Sequence, residues 1–593
     1  MKSLHPPFIA ALKSFLPLKP YFLRNRRPLI LGLLSLLLVD LLQLVIPLVI
    51  KKAIDLLTGQ EANVTVLMKM GLAVFAIALG IALFRYIWRL LILGHSRTVE
   101  EGLRNRIYDH LQTLSPSYFQ RTKTGDIMAK AINDINNIRM ATGMGLVALT
   151  DGAVLGLAAV GFMMSINIKL TLISLIPAPV IIILTRKLTR RMASSFEAIQ
   201  ETFSDLTERV REAFSGNRVI KSYNREDWTC QRVKDEGERY ISENMTLAKT
   251  LAFFFPMMAA FTNTGLAVVI WLGGRLTISG NITAGDFVAF TAYLNLLTWP
   301  MMAMGWVTNL IQRGSASMRR LNRIIEEVPE ITDSAGSLLK NPILGNIEIR
   351  GLNVRYPNQT HDALKDVRLK ITAGETVAVV GRVGSGKSTL LEALPRLFDI
   401  PAGTVYVEGQ DILKVPLKEL RRGIGFVQQE VFIFSDTIRN NVLFGRKKVS
   451  PLHLEAALKA AGILEEINEL EDGLDTLLGE RGITLSGGQR QRLTIARALV
   501  ADPPVLILDD ALSMVDTRTE EKILDRILEL RRDRTNLIVS HRVSTIDRAD
   551  RIFVLDRGRL VEQGGHERLL RMNGVYATLY ERQSIAMELE MES

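Results

Sequence analysis

GRVGSGKST, residues Gly381–Thr389, decides how the C-terminal half of this chain is read. The stretch fits the pattern G-x-x-x-x-G-K-[ST]. Its glycines let backbone N–H groups crowd around phosphate oxygens, its lysine meets the outer phosphates, and its hydroxyl holds Mg²⁺. TVAVV (Thr376–Val380) reads as a short buried strand running into the loop, and Ser388–Leu397 as the helix behind it, whose N terminus adds its dipole to the anion site. These positions assign Lys387 to the β- and γ-phosphates, Ser388 to Mg²⁺, and the backbone from Gly384 through Ser385, Gly386 and Thr389 to the phosphate cradle, with Gly381 opening the loop. Alone, such a loop says that a nucleotide binds. LSGGQ at Leu485–Gln489 and the apolar run VLILDD at Val505–Asp510 make the arrangement far more specific.

The chain has 593 residues, too many for one domain. Its first half carries long apolar runs, whereas the sequence beyond about residue 345 reads as an ordinary soluble α/β domain. Six apolar spans, at 29–50, 66–94, 139–164, 166–185, 250–273 and 284–310, are near or above the ~20 residues that a helix needs to cross a hydrocarbon core. The first is too long and too far in for a cleaved signal peptide. The formal charge of +11 invites a nucleic-acid reading, but its distribution argues otherwise. Basic residues gather in the N-terminal segment and in the long loops 95–138 and 186–249, while the connections 51–65, 165 and 274–283 are short. The positive-inside rule then places the N terminus, both long loops and the C-terminal domain in the cytoplasm, with Lys51, Lys52 and Lys169 as minor exceptions. No nucleic-acid partner is expected. The single cysteine, Cys230, excludes an intramolecular disulfide.

Pro6–Leu23 mixes apolar residues with Lys13 and Lys19 and is expected to form an amphipathic helix at the cytoplasmic surface. The long loops keep helical periodicity and read as continuations of membrane helices, broken at Leu114–Gly125 and Phe214–Asn224. Charges at membrane depth are costly and face protein or water. Asp40 and Asp151 lie inside spans, and Arg85 and Arg89 near a cytoplasmic end from which they can snorkel. Either these groups form the polar wall of a substrate cavity or they form structural ion pairs. Asn295, Thr298, Trp299, Trp306 and Asn309 give the sixth span its polar and aromatic character.

The loop, LSGGQ and the Asp-terminated strand together resemble the nucleotide-binding domain of an ATP-binding-cassette (ABC) protein. The six-span pattern, YFQRTKTGDIM at Tyr118–Met128 and REAFSGNRVIKSYNRE at Arg211–Glu226 resemble the membrane domain of type IV ABC exporters. The resemblance implies an all-α, six-helix transmembrane domain with long cytoplasmic extensions, fused to an α/β P-loop ATPase. The expected boundaries are an elbow segment at 1–28, a transmembrane domain at 29–325, a linker at 326–345 and an ATPase domain at 346–593. It implies ATP and Mg²⁺ as cofactors and coupling helices near Ser115–Gln120 and Phe214–Tyr223. The sixth span would line the translocation path. Tyr356 would stack on adenine, and Gln429, registered on Glu430, would touch Mg²⁺ and the attacking water, with Gln428 where the family often has proline. Ser486, Gly487, Gly488 and Gln489 would serve the γ-phosphate of an ATP held by a second subunit. Asp509 would hold Mg²⁺ through water, Asp516 would cross the dimer interface, and His541 would contact the γ-phosphate.

One position departs from the family pattern. Where the family carries the glutamate that polarises the attacking water, this chain has Asp510, one methylene shorter. Phosphoryl transfer depends on positioning, and a misplacement of about 1 Å can cost on the order of a hundredfold in rate. Slow hydrolysis on this chain's own loop is expected, as in exporters that pair a competent with a degenerate half. The expectation is thus a bacterial inner-membrane half-transporter with a non-identical partner, exporting amphipathic drugs or lipids in contact with membrane lipids. The alternatives are a homodimeric lipid or peptide exporter and an ATP-gated channel or regulatory subunit.

Overall fold

The computed structural model describes residues 13–59, 64–334, 336–356, 359, 361–479, 485–540, 542 and 546–592. They divide into two compact units: residues 1–112 with 122–327, and residues 113–121 with 328–593. The segment 113–121, enclosed in sequence by membrane helices, therefore belongs with the ATPase unit.

The first unit is built on long helices: α1 (Arg26–Thr58), α2 (Val64–Leu111), α3 (Thr124–Ile166), α4 (Pro177–Ser215), α5 (Glu226–Val268) and α6 (Ala284–Ile325). A helix is forced here because hydrocarbon offers backbone N–H and C=O groups no partner. Among the described residues, α1, α2 and α3 are long and apolar enough to cross a membrane. The fourth expected span, 166–185, is not one continuous helix. A short helix, Ile168–Ser174, capped by Asn167 accepting from the Leu170 N–H, stops before Pro177, where α4 begins. Proline disfavours helical geometry in the residue before it and starts helices well. The charged loops do continue the membrane helices, and short helices at Pro116–Arg121 and Asn217–Ser222 fill the two expected breaks.

The N-terminal segment departs from expectation. Pro6–Leu12 lies outside the described residues, and the rest is a 3₁₀ turn at Leu16–Leu18 followed by the short helix Lys19–Arg24. Pro17 and Pro20 interrupt any longer helix. Leu18 is fully buried with Val99, Leu103 and Ile107 of α2 and Met318 of α6, and the Tyr21 hydroxyl donates to the Gly102 carbonyl at 3.0 Å. Packing within its own unit thus takes Leu18 and Tyr21, while Leu16 and Leu23 remain exposed.

α1 and α6 are joined at several levels. The Tyr293 hydroxyl donates to the Leu44 carbonyl at 2.8 Å. At the start of α6, Thr283 and Asp286 form a capping box, Asp55 accepts from the Gly285 N–H at 2.9 Å, and Lys51 pairs with Asp286 at 2.5 Å. This pairing accounts for Lys51, one of the lysines that broke the charge rule.

The second unit has an antiparallel sheet of order β2-β1-β4-β5 and a six-stranded sheet of order β10-β9-β3-β8-β7-β6. The strands are β1 (Ile347–Val354), β2 (Leu364–Ile371), β3 (Thr376–Gly381), β4 (Val405–Val407), β5 (Gln410–Asp411), β6 (Ile424–Val427), β7 (Val505–Asp509), β8 (Thr535–Val539), β9 (Arg551–Asp556) and β10 (Arg559–Gly564). β1 alternates buried and open positions as its sequence suggests, whereas β7 and β8 are buried throughout. A parallel sheet covered on both faces requires such continuous apolar runs. β3 lies parallel to both β8 and β9, and β7 is parallel to β6 and β8. The helix after the phosphate loop, α7 (Lys387–Ala393), is shorter than the expected Ser388–Leu397, because Pro395 follows and Arg396 has φ +49°.

Gly285 sits where a Cβ would collide with the Lys51 carbonyl and the Asp55 carboxylate, whereas nothing lies within 4 Å of a Cβ at Gly274. Gly285→Ala is expected to lower the Tm of the detergent-purified protein, and Gly274→Ala to leave it unchanged, in a thermal unfolding scan.

Candidate functional site

Parallel pairing brings the chemistry to one edge. The carboxyl end of β3 leads into the phosphate loop, that of β6 into Gln428 and Gln429, and that of β7 into Asp509 and Asp510. Ligands in such sheets bind beyond the carboxyl ends of the strands. The end of β8 leads to Ser540 and then His541; His541 lies outside the described residues, as do 480–484 ahead of the LSGGQ stretch.

The phosphate loop needs left-handed backbone at Gly384 (φ +78°) and Gly386 (φ +100°), which glycine adopts freely. Lys387 is buried and folds its ammonium back onto the loop, donating to the Gly381 carbonyl at 2.8 Å and the Arg382 carbonyl at 3.0 Å. Burial pulls its pKa below the usual lysine value, opposed by the nearby charges of Asp509 and Asp510. The Ser385 hydroxyl is buried with no hydrogen-bond partner among the described residues. An orphaned donor and a lysine resting on its own loop fit a cradle built for phosphate.

Tyr356, Ser388, Gln428, Gln429 and Asp509 line one cavity of about 1530 Å³, and Asp509 is buried at its floor. A hydroxyl, a carboxylate and an amide oxygen on one cavity are the oxygen donors that Mg²⁺ prefers. Tyr356 reaches Thr389, hydroxyl to hydroxyl, at 3.1 Å, and burial pushes its phenol pKa up. Glu392, which sequence reasoning passed over, lies on the same wall, its pKa raised by burial and then by Asp509. Asp510 adopts φ +50°, and its N–H bonds to the Val539 carbonyl at 3.1 Å. Asp is among the few residues that accept this conformation readily.

The LSGGQ residues form a second place. Ser486 caps α8 (Gly487–Leu499), accepting from the Gln489 N–H while Gln489 accepts from the Ser486 N–H at 2.8 Å. Gln489 also donates to Glu466 at 2.8 Å, so its side chain is spent on holding the helix end. Ser486, Gly487, Gly488 and Asp516 line a cavity of about 490 Å³ that shares no lining residue with the first. A Cβ at Gly487 would press on Met514 Sδ, so the glycine lets the two segments approach. Asp516 caps α9 (Thr517–Leu530), accepting from the Thr519 N–H at 2.9 Å, which holds its carboxyl below the usual range.

Two connections escaped the sequence reading. Gln491 is fully buried; it donates to the Ser513 hydroxyl at 3.0 Å and accepts from the Met514 N–H at 2.8 Å. It thereby ties α8 to the segment after Asp510. Glu330 binds the 113–121 segment, accepting from Ser115 at 3.0 Å, from Ser117, and from Arg121 at 2.5 Å. Ser117 foremost holds its carboxyl below the usual range, and Pro116, Ser117, Gln120 and Arg121 line the cavity that holds Ser388 and Asp509.

A helical membrane unit fused to this strand-edge nucleotide site defines a membrane transporter driven by ATP. Family profiles agree: the ABC transporter transmembrane region matches residues 29–301 and the ABC transporter domain residues 364–513. The chain is 34% identical over 572 residues to the probable multidrug resistance ABC transporter ATP-binding/permease protein YheI of Bacillus subtilis, covering 96% of each. It is 34% identical over 583 residues to the multidrug resistance-like ATP-binding protein MdlA of Escherichia coli, covering 98% of each. An ATP-dependent lipid A-core flippase of Desulfotalea psychrophila is 34% identical over 523 residues, covering 88% of this chain and 91% of the flippase. The solved structure of a bacterial Atm1-family ABC exporter with ATP bound superposes with a TM-score of 0.76 at 29% identity, over 94% of this chain and 99% of that one. This chain belongs to the ABC transporter family, as an exporter with membrane and ATPase parts on one polypeptide that couples ATP hydrolysis to transport.

Gln491→Leu would remove both hydrogen bonds of a buried amide, to the Ser513 hydroxyl and from the Met514 N–H, each worth about 0.5–1.5 kcal/mol. A lowered Tm and a reduced ATPase rate are expected, with Gln491→Glu, which keeps the acceptor, closer to wild type.

Proposed function

We propose that this chain is one half of a bacterial inner-membrane exporter of amphipathic drugs or lipids, paired with a non-identical half that carries a full catalytic glutamate. The observation that carries the pairing is Asp510, a short carboxylate on a backbone at φ +50° that suits aspartate. The multidrug and lipid relatives support the substrate class, and the membrane half supports the topology, with the N terminus and ATPase unit cytoplasmic.

Each composite site would take its phosphate loop from one chain and its LSGGQ from the other, with the D-loop Asp516 near the junction. ATP would lie along the Gly381–Thr389 cradle with its adenine against Tyr356. Ser388, Gln429 and Asp509 would hold Mg²⁺, which when bound neutralises charge on the transferred phosphoryl group. Lys387 would leave its loop carbonyls for the outer phosphates. Asp510 would orient the attacking water poorly, so this chain's own site would mainly hold ATP. Its intact LSGGQ would serve the partner's site, and His541 would complete the γ-phosphate contacts. ATP binding would drive the spans outward only insofar as the closed pair binds ATP better than the open one. The Pro116–Arg121 helix, tied by Glu330, and the Asn217–Ser222 helix would carry that change to the membrane.

Asp510→Glu is expected to raise the ATPase rate of the nanodisc-purified chain about tenfold or more, and Asp510→Asn to abolish what remains. Brisk wild-type turnover in a homodimer, indifferent to both substitutions, would remove the degenerate-site reading and leave the exporter standing. Glu330→Gln is expected to weaken the stimulation of ATPase by transported compounds.

A further inference from the structure

Glu466 stands on the short helix Leu464–Asn468 and lines the cavity of about 490 Å³ that holds Ser486, Gly487 and Gly488. A carboxylate is out of place where phosphate is to bind, because like charges repel. Both of its oxygens are taken. One accepts from the Gln489 side-chain amide at 2.8 Å, and the other pairs with Arg492 at 2.7 Å. Arg492 is anchored in turn on the Gly462 carbonyl at 2.8 Å. The guanidinium therefore cancels the charge of Glu466 and fixes where its oxygens point.

Donor and acceptor identities decide what this carboxylate does. A glutamine amide has an oxygen that only accepts and an NH₂ that only donates, whereas an ionised carboxylate only accepts. With Glu466 at one end of the Gln489 amide, the NH₂ must face Glu466 and the oxygen must face Ser486. The oxygen there accepts from the Ser486 N–H at 2.8 Å. In the same turn the Ser486 hydroxyl oxygen accepts from the Gln489 N–H at 3.2 Å. The Ser486 O–H is then turned away from the helix. It joins the N–H groups of Gly487 and Gly488, which have no partner within α8, as a donor for a phosphate oxygen.

We propose that Glu466 is a positioning residue for the LSGGQ site. By accepting from Gln489 it selects the one orientation of that amide that holds Ser486 ready for the terminal phosphate of an ATP carried by the second subunit. It acts through geometry and not through its charge, which Arg492 cancels. A donor in its place would turn the amide round and set NH₂ against the Ser486 N–H. This inference rests on the composite-site reading, in which each ATP meets the LSGGQ of the other chain.

The test compares Glu466→Gln, Glu466→Leu and Glu466→Lys in the full chain in nanodiscs, each in the faster Asp510→Glu background. Glutamine still offers an accepting oxygen and is expected to lower kcat about threefold. Leucine, which leaves the amide unguided, is expected to lower it about tenfold, and lysine, which inverts it, about a hundredfold. Hydrogen exchange over residues 485–492, read by mass spectrometry without ATP, is expected to quicken in the same order and needs no second subunit. Binding of a fluorescent ATP analogue to the chain's own phosphate loop reports that each variant is folded, since that cavity shares no lining residue with this one. A role through charge alone predicts the reverse for lysine, because a cation beside phosphate favours ATP. Glu466→Lys turning over at or above its parent overturns the proposal, and so does equal exchange in all variants. An Asp510→Glu parent that binds ATP without turnover sinks the composite-site reading, while exchange in the expected order still supports Glu466 as the residue that orients Gln489.

Discussion

Parallel strand pairing is the constraint on which the catalytic half depends. Once β3 is laid between β8 and β9, with β7 and β6 continuing the sheet, all these strands end on one edge. Loops far apart in sequence must then meet there. The phosphate loop, the paired glutamines and the adjacent aspartates share an edge because the hydrogen-bond ladder leaves their strands no other direction. Burial of both sheet faces supplies the apolar runs that fix the register.

The membrane half obeys a different constraint. Backbone satisfaction in hydrocarbon demands helices, and what distinguishes one helix from another is its polar exceptions. The exceptions in this chain are used. Lys51 meets Asp286, Asp55 caps the start of α6, and Tyr293 donates to the backbone of α1. The Asp151–Trp299 contact extends the same logic toward the open side of the helices.

Much of this was legible in the sequence, for physical reasons. The strand β3, the loop after it and the Asp-terminated β7 were readable because continuous apolar runs and a glycine pattern are local signals. The continuation of membrane helices into the charged loops was readable from periodicity. The break ahead of Pro177 was carried by prolines inside an apolar run, whose bulk hydropathy hid it. The docking of Leu18 and Tyr21 depends on partners far along the chain, and Gln491 and Glu330 are polar residues whose work is set by what faces them. No periodicity announces such residues, although Gln491 stands two positions beyond the LSGGQ stretch.

The chain threads its ATPase unit twice, first as residues 113–121 and again from Val328 onward. The earlier passage contributes wall to the cavity that holds Ser388 and Asp509, and Glu330 fastens it there. The ATPase unit is therefore not a single C-terminal stretch of chain. An ATPase fragment cut at the linker would lack part of its own lining, and a chimaera that exchanged only the C-terminal half would pair a native pocket with a foreign wall. Serine, serine and arginine at 115, 117 and 121 meet glutamate at 330 across more than two hundred positions of chain, so a graft that moved one side alone would break the contact.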